Sequence, residues 1–179
     1  MTVSRENKIA GVTCAHRTST SSTGGAVAEF SDNGEVLQAL QGGTIKVLGA
    51  ISFVWSRQDF VNSVDVLFVD EAGQMALANV LACSPAASSL VLLGDPQQLE
   101  QPTQGSHPEG SDVSALGHVL GGRKTIDPSQ GIFLSNTRRL HPELCKFTSE
   151  MFYESRLVPH GGLENQKVNA PEPFSGAGL

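Results

Sequence analysis

Val64-Asp65-Val66-Leu67-Phe68-Val69 is an almost unbroken apolar run that stops at two adjacent carboxylates, Asp70 and Glu71. A short run rich in β-branched and aromatic side chains reads as a strand buried on both faces, the pattern of a parallel sheet. Such a strand delivers its last residues to the carboxyl edge of the sheet, where open α/β folds bind ligands. Two acids there are costly to desolvate unless a cation meets them, and a magnesium ion carried by a nucleoside triphosphate is a common solution. On that reading Asp70 holds the metal, directly or through water, and Glu71 polarises an attacking water.

A second segment repeats the design. Ser89-Leu90-Val91-Leu92-Leu93 is another apolar strand, and Gly94-Asp95-Pro96-Gln97-Gln98 turns the chain at its end. Gln98 then sits at the same kind of edge, where a neutral amide can hydrogen-bond a γ-phosphate or its attacking water without adding charge. Between the strands, Met75, Ala78, Leu81 and Ala82 fall at helical spacing within Gln74–Cys83, and Pro85 ends the pattern. Strand, acid loop, helix and strand make a βαβ unit, for which a right-handed crossover is expected.

The two segments VDVLFVDEAGQM and LVLLGDPQQLEQP, in this order, resemble motifs II and III of superfamily 1 helicases. They are most similar to the branch holding the nonsense-mediated-decay RNA helicase and its bacterial relatives fused to RecB-like nucleases. A third match, Thr137-Arg138-Arg139-Leu140-His141-Pro142 with Phe147 and Met151-Phe152-Tyr153-Glu154-Ser155-Arg156-Leu157, resembles that family's motif IV. The resemblance runs from about residue 44 to the end of the sequence. It implies an α/β fold: a parallel-sheet RecA-like P-loop NTPase lobe, incomplete because its phosphate-binding loop is absent, followed by the start of a second RecA-like lobe.

The resemblance also implies roles. Glu71, Gln98 and Arg139 are the catalytic candidates, Arg139 as an arginine finger that stabilises transition-state charge. Asp70, Gln74, Gly94 and Asp95 are the candidates for binding ATP with Mg²⁺, and Asp70 is the metal ligand. The partner is single-stranded DNA or RNA. In the family a "GTA" or "GTT" sequence before motif II touches the nucleic-acid backbone; here Gly49-Ala50-Ile51-Ser52 departs from it, which leaves Ser52, Trp55 and Arg57 as the nucleic-acid candidates. Trp55 reads equally as a core residue, and Arg139 as a surface residue pairing with Glu143. Two other functions fit parts of the sequence: a degenerate, non-catalytic RecA-like interaction module, and a divalent-metal hydrolase built on Asp70, Glu71 and Asp95.

The family binds phosphates through Gly-x-x-x-x-Gly-Lys-Ser/Thr, and these 179 residues contain no such pattern. The sequence therefore reads as a middle piece of a helicase, with the phosphate loop expected upstream and the later motifs downstream. Residues 1–43 are expected to be a loop-rich or partial lead-in, with one short helix over Glu35–Leu40 closed by Gly42-Gly43. Residues 44–125 should form the later half of the first lobe and 126–179 the opening of the second. In the second, Gly131–Leu134 is expected as a strand and Leu144, Phe147, Met151 and Phe152 as the buried stripe of a helix opened by Pro142.

Composition constrains the rest. With 39% hydrophobic and 17% charged residues the chain is ordinary for a globular protein. A net charge of −6 argues against coating by nucleic acid through bulk electrostatics, so any such contact must be local. Three scattered cysteines form neither a disulfide framework nor a metal cluster. No apolar run approaches the ~20 residues of a membrane span, and the amino terminus has no apolar signal region. A cytoplasmic, membrane-free protein is the expectation.

Overall fold

A computed structural model describes residues 12–19, 27–98, 113–166, 171 and 175–176. The chain divides into two compact units, Met1–Gly94 with Glu100–Ala115, and Asp95–Leu99 with Leu116–Leu179. The main crossing therefore falls between Ala115 and Leu116, ahead of the division at 125/126 expected from sequence, and the turn after the second motif strand joins the second unit.

The first unit is mixed α/β with two small parallel sheets. Strands β1 (Cys14–Arg17), β2 (Ala28–Phe30) and β3 (Val47–Gly49) form one, in the order β2-β1-β3. Two of these strands lie inside the segment expected to be a lead-in, so residues 1–43 carry more regular structure than their Ser/Thr/Gly content suggested; much of the Thr18–Gly25 tract lies outside the described residues. Helix α1 (Asn33–Gln41) contains the predicted Glu35–Leu40 segment. The Asp32 carboxylate accepts the Glu35 N–H at 2.9 Å, and Gly43 takes φ +70° just beyond the last turn.

The apolar stretch Ile45–Val54 reads as a strand, but only Val47–Gly49 is one. After β3 the chain turns into helix α2 (Ser52–Trp55) and a 3-10 turn over Gln58–Phe60, because Val54, Trp55 and Phe60 bury together. Strands β4 (Val64–Val69) and β5 (Ala87–Leu92) then pair in parallel, Phe68 opposite Val91 and Val69 opposite Leu92, with helix α3 (Leu77–Cys83) between them in sequence. The βαβ order read from the sequence is present.

Burial of β4 differs from expectation. Leu67 and Val69 are buried, but Phe68 is 63% exposed and Val66 41%. The physical reason is that β4 and β5 form a two-stranded sheet, and only the face bearing Leu67 and Val69 is well covered. An apolar run identifies a strand but not how many of its faces are covered.

The second unit holds helix α4 (Ala115–Leu120), strands β6 (Asn136–Thr137) and β7 (Val158–Pro159) paired in parallel, and helix α5 (Pro142–Phe152). Ser111 and Asp112, residue types that can cap a helix and that precede α4 in the sequence, lie outside the described residues. Gly131–Leu134 is not a strand; the ladder begins at Asn136, and Ile132 and Leu134 are more than 80% exposed. Pro142 opens α5 at a position where its missing N–H costs nothing, and His141 Nδ1 accepts the Glu143 N–H at 3.2 Å. The predicted buried stripe is reversed: Cys145 and Ser149 face inward, while Phe147, Met151 and Phe152 are exposed. Ser149 is inward because its hydroxyl accepts the Leu157 N–H at 2.9 Å, a polar anchor that hydrophobic periodicity cannot register.

Among the described residues no helix is long and apolar enough to cross a membrane. Cys83 and Cys145 are buried, and burial pushes both thiols above their ordinary range. Brief alkylation of the native protein at neutral pH is expected to modify Cys14 first, with Cys83 and Cys145 reacting only after unfolding. Mass spectrometry showing all three modified together would contradict this packing.

Candidate active site

The first unit builds its site where β4 and β5 end side by side. Leu93 N–H donates to the Val69 carbonyl at 2.9 Å and Ala72 N–H to the Leu93 carbonyl at 2.8 Å, so the two loops leaving the sheet are hydrogen-bonded to each other. Ala72 is fully buried. Gly94 sits against this backbone so closely that a Cβ there would lie 2.9 Å from the Gly73 nitrogen and 3.0 Å from the Ala72 nitrogen. Only a residue without a side chain fits. Gly94→Ala is accordingly expected to destabilise the protein by ~1–3 kcal/mol, the usual cost of overpacking against atoms that cannot yield; chemical denaturation measures it.

Asp70 and Glu71 stand exposed on this platform. Asp70 Oδ1 accepts the Glu71 N–H at 3.0 Å, and among the described residues no hydrogen bond to its second oxygen is seen. Glu71 holds φ +54°, a left-handed conformation that a residue with a Cβ adopts at a cost. Its carbonyl accepts from Gln74 N–H at 2.9 Å and Met75 N–H at 3.1 Å, closing the turn that leads to α3. Asn62, Glu154 and Ser155 take the same left-handed conformation; Glu71 is the one that stands directly after Asp70 at the end of β4.

This donor set suits a magnesium–nucleotide. Mg²⁺ binds through one or two carboxylates and otherwise through phosphate and water oxygens, and Asp70 offers one carboxylate oxygen with Glu71 adjacent. Among the described residues no three His, Cys, Asp or Glu side chains group closely enough to form a protein-only metal cage.

The remaining candidates lie in the second unit. Both oxygens of Asp95 are engaged: Oδ1 accepts the Gln97 N–H at 2.9 Å, and the Tyr153 O–H donates to Oδ2 at 2.5 Å. Gln98 N–H reaches the Asp95 carbonyl at 3.4 Å. Arg138 and Arg139 are exposed on the turn leaving β6, and Arg139 N–H donates to Thr137 Oγ1 at 3.3 Å. The alternative pairing of Arg139 with Glu143 is absent among the described residues, whose side-chain ion pairs are Arg57–Asp59 and Arg123–Asp127. Sequence reading assigned Tyr153 no role; the only available signal was a lone tyrosine within the third motif.

Of the nucleic-acid candidates, Trp55 is corrected. It is buried, edge-on to Phe60 with ring centroids 5.8 Å apart, and so offers no stacking face. Arg57 is exposed, with its guanidinium bidentate on Asp59 through two 2.9 Å hydrogen bonds. That pair holds the Asp59 carboxyl below its usual range and raises the guanidinium, chiefly through the hydrogen bonds. Ser52 is half-buried at the start of α2, its carbonyl accepting from Cys83 Sγ at 3.2 Å.

Residues 52–159, more than half of the sequence, match the viral superfamily 1 RNA helicase core domain. The chain belongs to this family. The match begins at α2, spans the acid loop and the Gly94 turn, and ends at β7. The matched span includes Asp70 and Glu71. No curated protein matches the chain.

Proposed function

We propose that the chain is a segment of an ATP-dependent helicase or translocase acting on single-stranded RNA or DNA, with two RecA-like lobes in the whole enzyme. The observation that carries this reading is an exposed, strained Glu71 beside Asp70 at the carboxyl end of a parallel strand, on a platform that only Gly94 permits. Asp70 holds Mg²⁺ with the oxygen its neighbour's N–H leaves open. When bound, the ion neutralises phosphate charge and orients the nucleotide. Glu71 accepts a proton from water, Gln98 hydrogen-bonds the γ-phosphate or that water, and Arg139 compensates negative charge as the bond breaks. Gln74 and Gly94 shape the nucleotide seat, and Ser52 and Arg57 are the local contacts for the nucleic acid.

Within superfamily 1, the likeness of Thr137–Pro142 and the Phe152-Tyr153 stretch to motif IV favours the nonsense-decay helicase and RecB-nuclease-fused branch as our reading. Because the 179 residues contain no Gly-x-x-x-x-Gly-Lys-Ser/Thr, they are expected by themselves to hydrolyse ATP at the background rate, with or without single-stranded nucleic acid. A coupled phosphate-release assay measures this. Robust turnover stimulated by RNA or DNA would overturn the division of labour between this chain and a separate phosphate loop.

A further inference from the structure

Gly94 packs on the first unit, yet the next residues, Asp95–Leu99, belong to the second. The second unit contains a specific fastening for them. Tyr153 lies just past the last residue of α5, its N–H donating to the Ser149 carbonyl at 3.0 Å, and its hydroxyl donates to Asp95 Oδ2 at 2.5 Å. The other Asp95 oxygen caps the Gln97 N–H. The Tyr153 ring is placed by Phe133, centroids 6.2 Å apart, and Phe133 lies beneath the Arg156 guanidinium at 4.6 Å. Arg156 in turn donates to the buried Thr125 hydroxyl at 2.6 Å. Each member of this chain of contacts limits the freedom of the next.

We propose that Tyr153 is a positioning residue that fastens the Asp95–Gln98 turn to the C-terminal end of α5, so that Gln98 is carried by the second unit rather than by the strand preceding it. The role of Gln98 rests on the helicase reading above; the fastening does not. A hydrogen bond to a carboxylate is among the stronger kinds, and the phenol is kept neutral by its partial burial and by the adjacent Asp95 carboxylate, which together raise its ionisation well above the ordinary tyrosine range. The turn therefore keeps its shape as long as Tyr153 remains protonated and Asp95 ionised.

The test uses the intact chain, in which Tyr153 is the sole tyrosine and tyrosinate absorbance reports on it alone. In the wild type it should ionise well above the free-tyrosine value of about 10, and Asp95→Ala should bring it down towards that value. Tyr153→Phe keeps the ring and removes only the hydroxyl. It should speed amide hydrogen exchange at Gln97 and Gln98 by about ten-fold or more, the equivalent of losing one charge-assisted hydrogen bond, while leaving the amides of α5 unchanged. Asp95→Ala should release the same amides, and the double variant no more than either. Unchanged exchange at Gln97 and Gln98 in Tyr153→Phe, or ordinary tyrosine ionisation in the wild type, overturns the proposal. If the turn is released as stated but Glu71→Gln leaves ATP turnover unchanged in a helicase core that carries these residues together with a phosphate loop, the fastening stands and the helicase reading fails.

Discussion

Glu71→Gln is expected to lower ATP turnover by ~10²–10⁴-fold in a helicase core that carries these residues together with a phosphate loop, the span typical for loss of a general base. The amide has nearly the same shape and can keep the backbone of the turn, including the Gln74 and Met75 bonds to the Glu71 carbonyl. Nucleotide affinity should therefore change little, and the loss should appear in kcat rather than KM. Glu71→Gly separates function from stability. It relieves a left-handed φ of +54° that costs ~1–2 kcal/mol for a residue with a Cβ, against ~0.5–1 kcal/mol of added chain entropy. The glycine variant is thus expected to be as stable as the parent or slightly more so, and inactive. A residue retained for the fold would show the opposite: lower stability on removal and little effect on the chemistry. Steady-state kinetics with a denaturation curve for each variant distinguishes the two.

Phe60→Ala is expected to be the most damaging single change to stability, at ~3–5 kcal/mol. Phe60 is the largest fully buried side chain among the described residues, and it meets Trp55 edge-on. The first unit draws its core from short elements and leaves one face of β4 exposed, so little other apolar burial compensates. A loss of that size is comparable to the whole stability of many small domains. The single tryptophan makes the result simple to read: Trp55 emission should shift to the red at much lower denaturant in the variant. An unfolding midpoint close to that of the parent would place Phe60 outside the core.

The two strands that carry the candidate site were legible in the sequence because their signals are local. An apolar run that stops at paired acids reports a strand end, and Gly94 with Pro96 reports a turn; the close approach of backbones at Gly94 appears only in the structure. Helix α1 was legible from its glycine stop, while its Asp32 cap appears only in the structure. Burial was not, since it depends on what lies above a face. The β4 run reads as buried on both faces whether a sheet has two strands or five, and the α5 stripe reads as core although its anchor is the Ser149 hydroxyl. Trp55 could be stacking platform or core on sequence alone, and the bend into α2 that buries it is set by Phe60 and Val54. Tyr153 was invisible as a partner of Asp95 because the two are 58 positions apart.

The most direct test is paramagnetic broadening of backbone amide resonances by Mn²⁺, in place of Mg²⁺, with ATP present, in a helicase core that carries these residues together with a phosphate loop. A strand-end nucleotide seat predicts broadening centred on Asp70, Glu71 and Gly94 that disappears in Asp70→Asn. Broadening elsewhere in the chain, or broadening that persists in Asp70→Asn, would contradict it.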